Sequence, residues 1–235
     1  MDMLTGAQIT EADLADWRQL GQGLHTRYRI GDFAAGARFV AALAEAGDAG
    51  GHHPRVTLGE GYADLKLISD DAVYRDGEGV EHLVSWVTQR DVDLARRITE
   101  IAAAQGVDAD PASLTTIELA LDTASSSRVA PFWAALLTGG TAAMGRGSTG
   151  DDVRDATGQT PILWFQDTEE HDPPRQRFHL DVWVAPEVAG QRIAAAVAAG
   201  GVVVDDSQAP SYVVVADLDG NRACVCTSQR PASEG

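Results

Sequence analysis

Positive charge is scarce in this chain: 18 Lys and Arg stand against 35 Asp and Glu, a formal net charge of −17 with a pI near 4.5. A protein that grips nucleic acid or an anionic membrane needs a basic footprint, so neither is expected as a partner, and a small soluble metabolite fits better. No apolar run reaches the length of a membrane span, and the first residues form neither a basic n-region nor an apolar h-region. The expected location is the cytoplasm. Cysteine is scarce as well. Cys224 and Cys226 stand two apart in a strand-like run, with the expectation that they point to opposite faces and do not bridge, as suits a reducing compartment. Thiols and imidazoles are not clustered at the spacings of a structural metal site, so none is expected.

What is present is long enough for two domains, each with a core of its own. In the first half a capping-box pattern at Thr10 and Asp13 predicts a helix through Leu14 and Trp17, ended by Gly21 and Gly23. Residues 24–30 alternate, with Leu24, Thr26, Tyr28 and Ile30 facing a core and His25, Arg27 and Arg29 on the surface side. Asp32 starts a second helix with Phe33, Gly36, Ala37, Val40 and Ala44 on its buried face and a stop near Gly47. That helix delivers the chain to Asp48 and then to His52-His53-Pro54. Pro54 holds His53 extended, so the two rings leave in different directions. Residues 55–58 and 62–69 read as strands about a Gly59-Glu60-Gly61 turn. Thr88 caps a third helix carrying an apolar stripe of Val92, Ala95, Ile98 and Ala102 down to Gly106. The order of elements predicts an α+β domain, an antiparallel sheet with helices on one face.

Asp48, the His52-His53-Pro54 run and the helix-opening Arg90-Asp91 together resemble the pterin-4a-carbinolamine dehydratase family over roughly residues 5–105. The resemblance implies dehydration of 4a-hydroxytetrahydropterin without metal or organic cofactor. Such a reaction needs an acid to protonate the departing hydroxide and a base to take the ring-nitrogen proton. It casts His52 and His53 as catalytic, with Asp48, Asp70, Arg90 and Asp91 binding the substrate and shaping the site. The family's third histidine and its aromatic fall here on Asp70 and Glu60. His82, directly after a stretch of residues 71–81 that reads as an inserted acidic loop with Gly77 and Gly79, is the candidate to replace the missing imidazole. The bland alternative leaves these histidines on a solvated loop.

Residues 107–113 form a polar, proline-containing break, dividing the chain into residues 1–106, this linker and residues 114–235. Beyond it a pattern of strand, helix and strands occurs twice: residues 116–122, 131–137 and 161–166, then 177–184, 191–198, 202–204, 212–215 and 222–226. The second copy follows the first at an offset of 61, which sets Glu118 against His179. Leu121-Asp122, Phe132-Trp133, the Phe178-His179-Leu180-Asp181 run and the turn from Asp217 to Asn221 resemble the glyoxalase-like, vicinal-oxygen-chelate domains, built from paired βαβββ modules. That resemblance implies an organic ligand in a cleft, or a metal held from both modules. Glu118 and His179 are the metal candidates, although the last-strand carboxylate falls on Cys224. Gly145-Arg146-Gly147-Ser148-Thr149-Gly150 matches a dinucleotide fingerprint, but no strand precedes it and acids follow, so it reads as a loop. His171 reads as part of a solvated connection. The leading expectation is a dehydratase joined to a glyoxalase-like binding domain, working on a pterin-like small molecule as a homo-oligomer. The alternatives are a binding or dimerisation protein with both sites decayed, and a metal-dependent enzyme acting through the C-terminal half.

Overall fold

The computed structural model describes residues 1–124, 126–127, 152–154, 161–169, 178–198, 201–216 and 222–230. It divides into two compact units, Met1–Thr115 and Thr116–Gly235. The expectations placed on residues 131–137, 145–150, 171 and 217–221 lie outside the described residues. Among the described residues no helix is long and apolar enough to cross a membrane.

The first unit opens with α1 (Gly6–Glu11), β1 (Arg18–Leu20), β2 (Gly23–Arg29) and α2 (Phe33–Gly50). It continues with β3 (Arg55–Gly59), β4 (Tyr62–Leu67), β5 (Ser69–Arg75), β6 (Glu81–Trp86) and α3 (Gln89–Gln105). Four strands form an antiparallel sheet in the order β1-β2-β4-β3. The alternation read in β2 and β4 is the buried face of that sheet: Leu24, Thr26, Tyr28, Ala63, Leu65 and Leu67 all lie inside. Phe39 and Leu43 of α2 and Ala95, Ile98 and Ala102 of α3 close over it, with the Tyr28 and Phe39 rings edge to face at 5.2 Å. This is the expected sheet with helices on one face.

Four local readings are corrected. The first helix is capped by Thr5, whose side chain and that of Gln8 complete a reciprocal box, so the chain is already leaving for β1 at Trp17. The buried stripe of α2 is Gly36, Phe39, Leu43 and Gly47, and Phe33 is exposed. That helix runs to Gly50, with Gly51 at a left-handed φ of 61° closing it. Residues 71–81 are no loop but most of a hairpin: β5 and β6 pair antiparallel, with Tyr74 opposite His82. The start of the chain docks on that hairpin, Met3 N–H donating to the Val73 carbonyl and Leu4 N–H to that of Val87. Residues 107–113 run along β2: Arg29 N–H donates to Asp108 and Asp110 N–H to Arg27 before a 3-10 turn at Pro111–Ser113.

The second unit contains β7 (Thr115–Thr123, which starts at the boundary), β8 (Asp152–Val153), β9 (Leu163–Asp167) and β10 (Phe178–Val184). Then come α4 (Pro186–Ala198), β11 (Val202–Asp205), β12 (Tyr212–Ala216) and β13 (Arg222–Cys226). They make one mixed sheet in the order β11-β12-β13-β10-β7-β9-β8. The second half is a full βαβββ module in which β10 runs parallel to β13, just as β7 runs parallel to β9 in the first half. The two halves therefore meet at their opening strands, β7 and β10, in the centre of the sheet.

Candidate functional site

The N-terminal site grows from Asp91, the third residue of α3 and wholly buried. One of its carboxylate oxygens accepts a hydrogen bond from the His52 ring at 2.7 Å. The other accepts from Ser69 Oγ at 2.7 Å and from Thr88 N–H at 2.8 Å. Burial opposes ionisation of Asp91, but the bonds from His52, Thr88 and Ser69 outweigh it and hold the carboxyl below its ordinary value. An ionised Asp91 fixes the proton on His52 Nε2 and leaves Nδ1 as the ring's acceptor, the arrangement in which a carboxylate orients a catalytic imidazole.

His53 turns the other way, its Nε2 2.8 Å from Asp48 at a half-exposed position. Gly47 makes room for this: a Cβ there would lie 2.5 Å from His53 Cδ2 and 2.9 Å from the His52 carbonyl. Three of the other expected residues have partners of their own. His82 bonds Asp76 in the turn of its own hairpin, 2.9 Å away, and its ring lies against Tyr74. Exposed Asp70 accepts from Ser85 Oγ at 2.8 Å. Arg90 pairs with Asp71, and Glu60 is an exposed turn residue.

The C-terminal sheet carries a cleft of about 700 Å³ on one face. Trp164, Trp183 and Tyr212 supply aromatic surface, and Arg222, Gln166 and Ser211 supply polar groups. Alternation along β10 puts His179, Asp181 and Trp183 on this face together. The pairing of β10 with β13 sets Cys224 directly opposite Asp181. Cys224 and Cys226 line the same cleft as free thiols. The expectation of opposite faces is thus corrected, because strand side chains repeat every two residues.

The ligand atoms of His179, Asp181 and Cys224 all lie within 4.8 Å of one another. Nε2 of His179 is 3.5 Å from Asp181, and Nδ1 is 3.6 Å from Asp122. The hydrogen bond to Asp181 raises the imidazole above its ordinary pKa, with burial working against it. The Cys226 thiol draws Cys224 below the usual thiol value, burial opposing and His179 assisting, while Cys226 itself is pushed up. Trp164 Nε1 donates to Asp181 Oδ2 at 3.0 Å, leaving Oδ1 toward His179.

Glu118, one of the two metal candidates, is buried and accepts from Trp183 Nε1 at 3.0 Å. It is outside the three-residue group, whose donors all belong to the second module. Neighbouring ligand atoms of a tetrahedral cation lie roughly 3.3–3.8 Å apart for bonds of about 2.0–2.3 Å. The atoms here lie within 4.8 Å of one another, and nitrogen, oxygen and sulfur are donor types that a zinc-class divalent cation accepts. Sequence reasoning named Cys224 and quoted Asp181 without joining them. The alternating His179-Leu180-Asp181 and Cys224-Val225-Cys226 pairs were the signal.

Two family descriptions match the chain: Pterin 4 alpha carbinolamine dehydratase over residues 2–101 and Glyoxalase-like domain over residues 118–226. A relative in Koribacter versatilis that carries a pterin-4-alpha-carbinolamine dehydratase name is 30% identical over 94 residues, 40% of this chain and 87% of its own. One in Nocardia farcinica with the same name is 30% identical over 103 residues, 43% of this chain and 96% of its own. A solved transcriptional coactivator/pterin dehydratase from Brucella melitensis aligns with a TM-score of 0.35 and 24% identity, over 43% of this chain and 99% of its own.

Proposed function

The chain belongs, through its N-terminal half, to the pterin 4 alpha carbinolamine dehydratase family, and from that premise, with a glyoxalase-like domain behind it, we propose a small-molecule protein whose principal ligand site is the C-terminal cleft. One observation carries this: His179, Asp181 and Cys224 converge in an aromatic-walled cavity of about 700 Å³, within the size range of small-molecule sites. Trp164, Trp183 and Tyr212 offer flat surfaces, while Arg222 and His179 offer polar ends. The ligand class that suits them is a planar, carbonyl-bearing small molecule. The N-terminal half supports this division. Asp70 and Glu60 occupy the places of the family's third histidine and its aromatic, and His82 is held by Asp76.

Biopterin, a planar carbonyl-bearing heterocycle, is a suitable probe for calorimetric titration of the full chain. Binding lost in Tyr212→Ala and His179→Ala but kept in His52→Ala supports the cleft; loss only in His52→Ala moves the ligand to the first unit.

A second reading is favoured by the bond between His52 and buried Asp91: the first unit dehydrates a pterin carbinolamine. His52 Nδ1 takes the ring-nitrogen proton while an acid protonates the departing hydroxide, with His53 the nearest residue in sequence able to do so. If so, His52→Ala lowers turnover of 4a-hydroxytetrahydropterin by roughly 10² to 10⁴ with the fold intact, the usual loss for one general acid or base. A variant that turns over at the wild-type rate removes this reading.

A further inference from the structure

We propose that Cys224 is a nucleophile toward planar, conjugated carbonyl compounds, with His179 as the base that takes its proton. The proposal deepens the reading of the cleft as the ligand site and rests on it. Alternation along β13 sets Arg222, Cys224 and Cys226 in one row on the cleft face. Of the two free thiols Cys226 is buried and Cys224 is half-buried, so Cys224 is the one that a bound molecule reaches. Register brings the rest. Asp181 is its direct partner across β10 and β13, and Val214 is its partner on β12. His179 shares the face of β10, two residues from Asp181, and a nitrogen of its ring lies within 4.8 Å of the Cys224 sulfur.

A thiol becomes a strong nucleophile when a base accepts its proton and a third group steadies that base. His179 has an acid at each nitrogen: Asp122 Oδ1 is 3.6 Å from Nδ1, and Asp181 Oδ1 is 3.5 Å from Nε2. Both favour the positive ring that is left once the thiol proton has been taken. Asp122 Oδ1 is buried and makes no hydrogen bond among the described residues, which leaves it for the imidazole. Asp181 is a partner of Cys224 as well as of His179 and Trp164. Its charge is shared with the Trp164 N–H and the His179 ring, which limits how far it opposes a thiolate beside it.

The walls of the cleft select the electrophile. Trp164, Trp183 and Tyr212 suit a flat conjugated body, and sulfur, a soft and polarizable atom, suits the carbon end of a conjugated double bond. Arg222, the preceding residue of the row, lines the same cleft and offers a positive charge to the carbonyl oxygen. In the addition Cys224 Sγ bonds to the β-carbon of the compound. The carbon–carbon π pair moves toward the carbonyl oxygen as an enolate, and the proton that His179 took from the thiol goes to the α-carbon. The product is a thioether and the imidazole is neutral again, with no oxidant, reductant or further reactant required.

The test is adduct formation on the full chain by benzylideneacetone, a planar conjugated ketone, with EDTA present, followed by intact mass and peptide mapping. The expected result is one adduct per chain, mapped to Cys224 and formed roughly 10²-fold faster than on free N-acetylcysteine, the low end of what one general base contributes. Cys224→Ser should lose the adduct, and His179→Ala should slow it by roughly 10². Asp122 is a positioning residue that acts through His179. Asp122→Asn should therefore lower the rate at saturation and leave the half-saturating concentration in place. Circular dichroism shows whether each variant is folded, and the mapping on the wild type needs no variant. A wild-type rate no faster than the free thiol, an adduct mapped to Cys226 instead, or an unchanged rate in folded His179→Ala overturns the proposal. Biopterin titration of the same samples separates the two readings. Heat of binding without marking of Cys224 sinks the nucleophile and spares the cleft as the biopterin site; marking without heat of binding does the reverse.

Discussion

Two imidazoles of the first unit are held in opposite ways, and His25 makes the unit sensitive to acid. His52 has a buried, ionised partner in Asp91. His25, on β2, has none at Nε2 among the described residues, where the atom is buried without a hydrogen bond. Burial chiefly, with Lys66 adding, drives the His25 pKa down to about 3, and a bond to the Leu20 backbone only partly resists. The unfolded chain therefore takes up this proton near pH 6.5, before the folded one does. The unfolded state binds more protons between about pH 6.5 and about 3, so stability falls as pH is lowered through that window. Asp91 has the usual carboxylate sign: its contribution is present above the ordinary carboxylate pKa and is lost only below it. Thermal melts from pH 7 to pH 4.5 should decline in the wild type and flatten in His25→Leu; equal slopes would show that His25 is not the group responsible. His25 was expected on the surface. Alternation in the sequence tells which face a residue takes, but not whether that face is covered. Period-two reasoning should also have put Cys224 and Cys226 on one side, and it is the strand register, a tertiary fact, that adds Asp181 and His179 to them.

Among elements, α2 and the hairpin of β5 and β6 do most to place the N-terminal histidines. Gly47 reads in the sequence as a helix stop, yet it lies within α2 and is there for proximity. Glycine to alanine inside a helix normally stabilises by about 1 kcal/mol. Here the added Cβ would collide with the His53 ring and the His52 carbonyl, and overpacking of that kind costs about 1–3 kcal/mol. The sign should therefore reverse. Gly47→Ala is expected to lower the denaturation midpoint and shift the ring resonances of both histidines, and a stabilised variant with unmoved resonances would contradict the tight contact. The hairpin's two feet, Ser69 and Thr88, both bond Asp91, so Ser69→Ala removes one of its donors. Such a buried loss costs about 1–3 kcal/mol, measurable by urea denaturation, and Ser69→Thr should recover most of it. The stripe of α3 was legible because Val92, Ala95, Ile98 and Ala102 keep strict helical spacing. The first helix was not, because Thr5 with Gln8 and Thr10 with Asp13 both satisfy a capping pattern; burial of Trp17 on the way into β1 is what selects the former.

At the scale of the whole chain the division into two halves was legible from composition, but the polar stretch that marks it is not free. Residues 107–115 belong to the first unit by contact. Arg29 N–H donates to the Asp108 carbonyl and Asp110 N–H to that of Arg27, so this segment lies beside β2 like a further, irregular strand. The Arg29 guanidinium pairs with Asp110 at 2.9 Å, and Val107 and Ala109 pack on the core. Polar composition hides such a role, since backbone groups carry the pairing and side chains need only reach water. A chain ending at Thr115 is therefore expected to fold cooperatively, with the helical and sheet signal of the first unit in circular dichroism. A chain ending at Gly106 loses three backbone hydrogen bonds to the rest of the unit, that of Val107 N–H to the Ala102 carbonyl included, at about 1 kcal/mol each, and the burial of Val107, worth about 1–2 kcal/mol more at partial exposure. The surface pair of Arg29 and Asp110 adds little. The shorter chain should thus be less stable by roughly 4 kcal/mol in urea, a large share of the 5–15 kcal/mol typical of a domain. Equal midpoints for the two chains would mean that the segment rides on the first unit without supporting it, and that the boundary belongs at Gly106 after all.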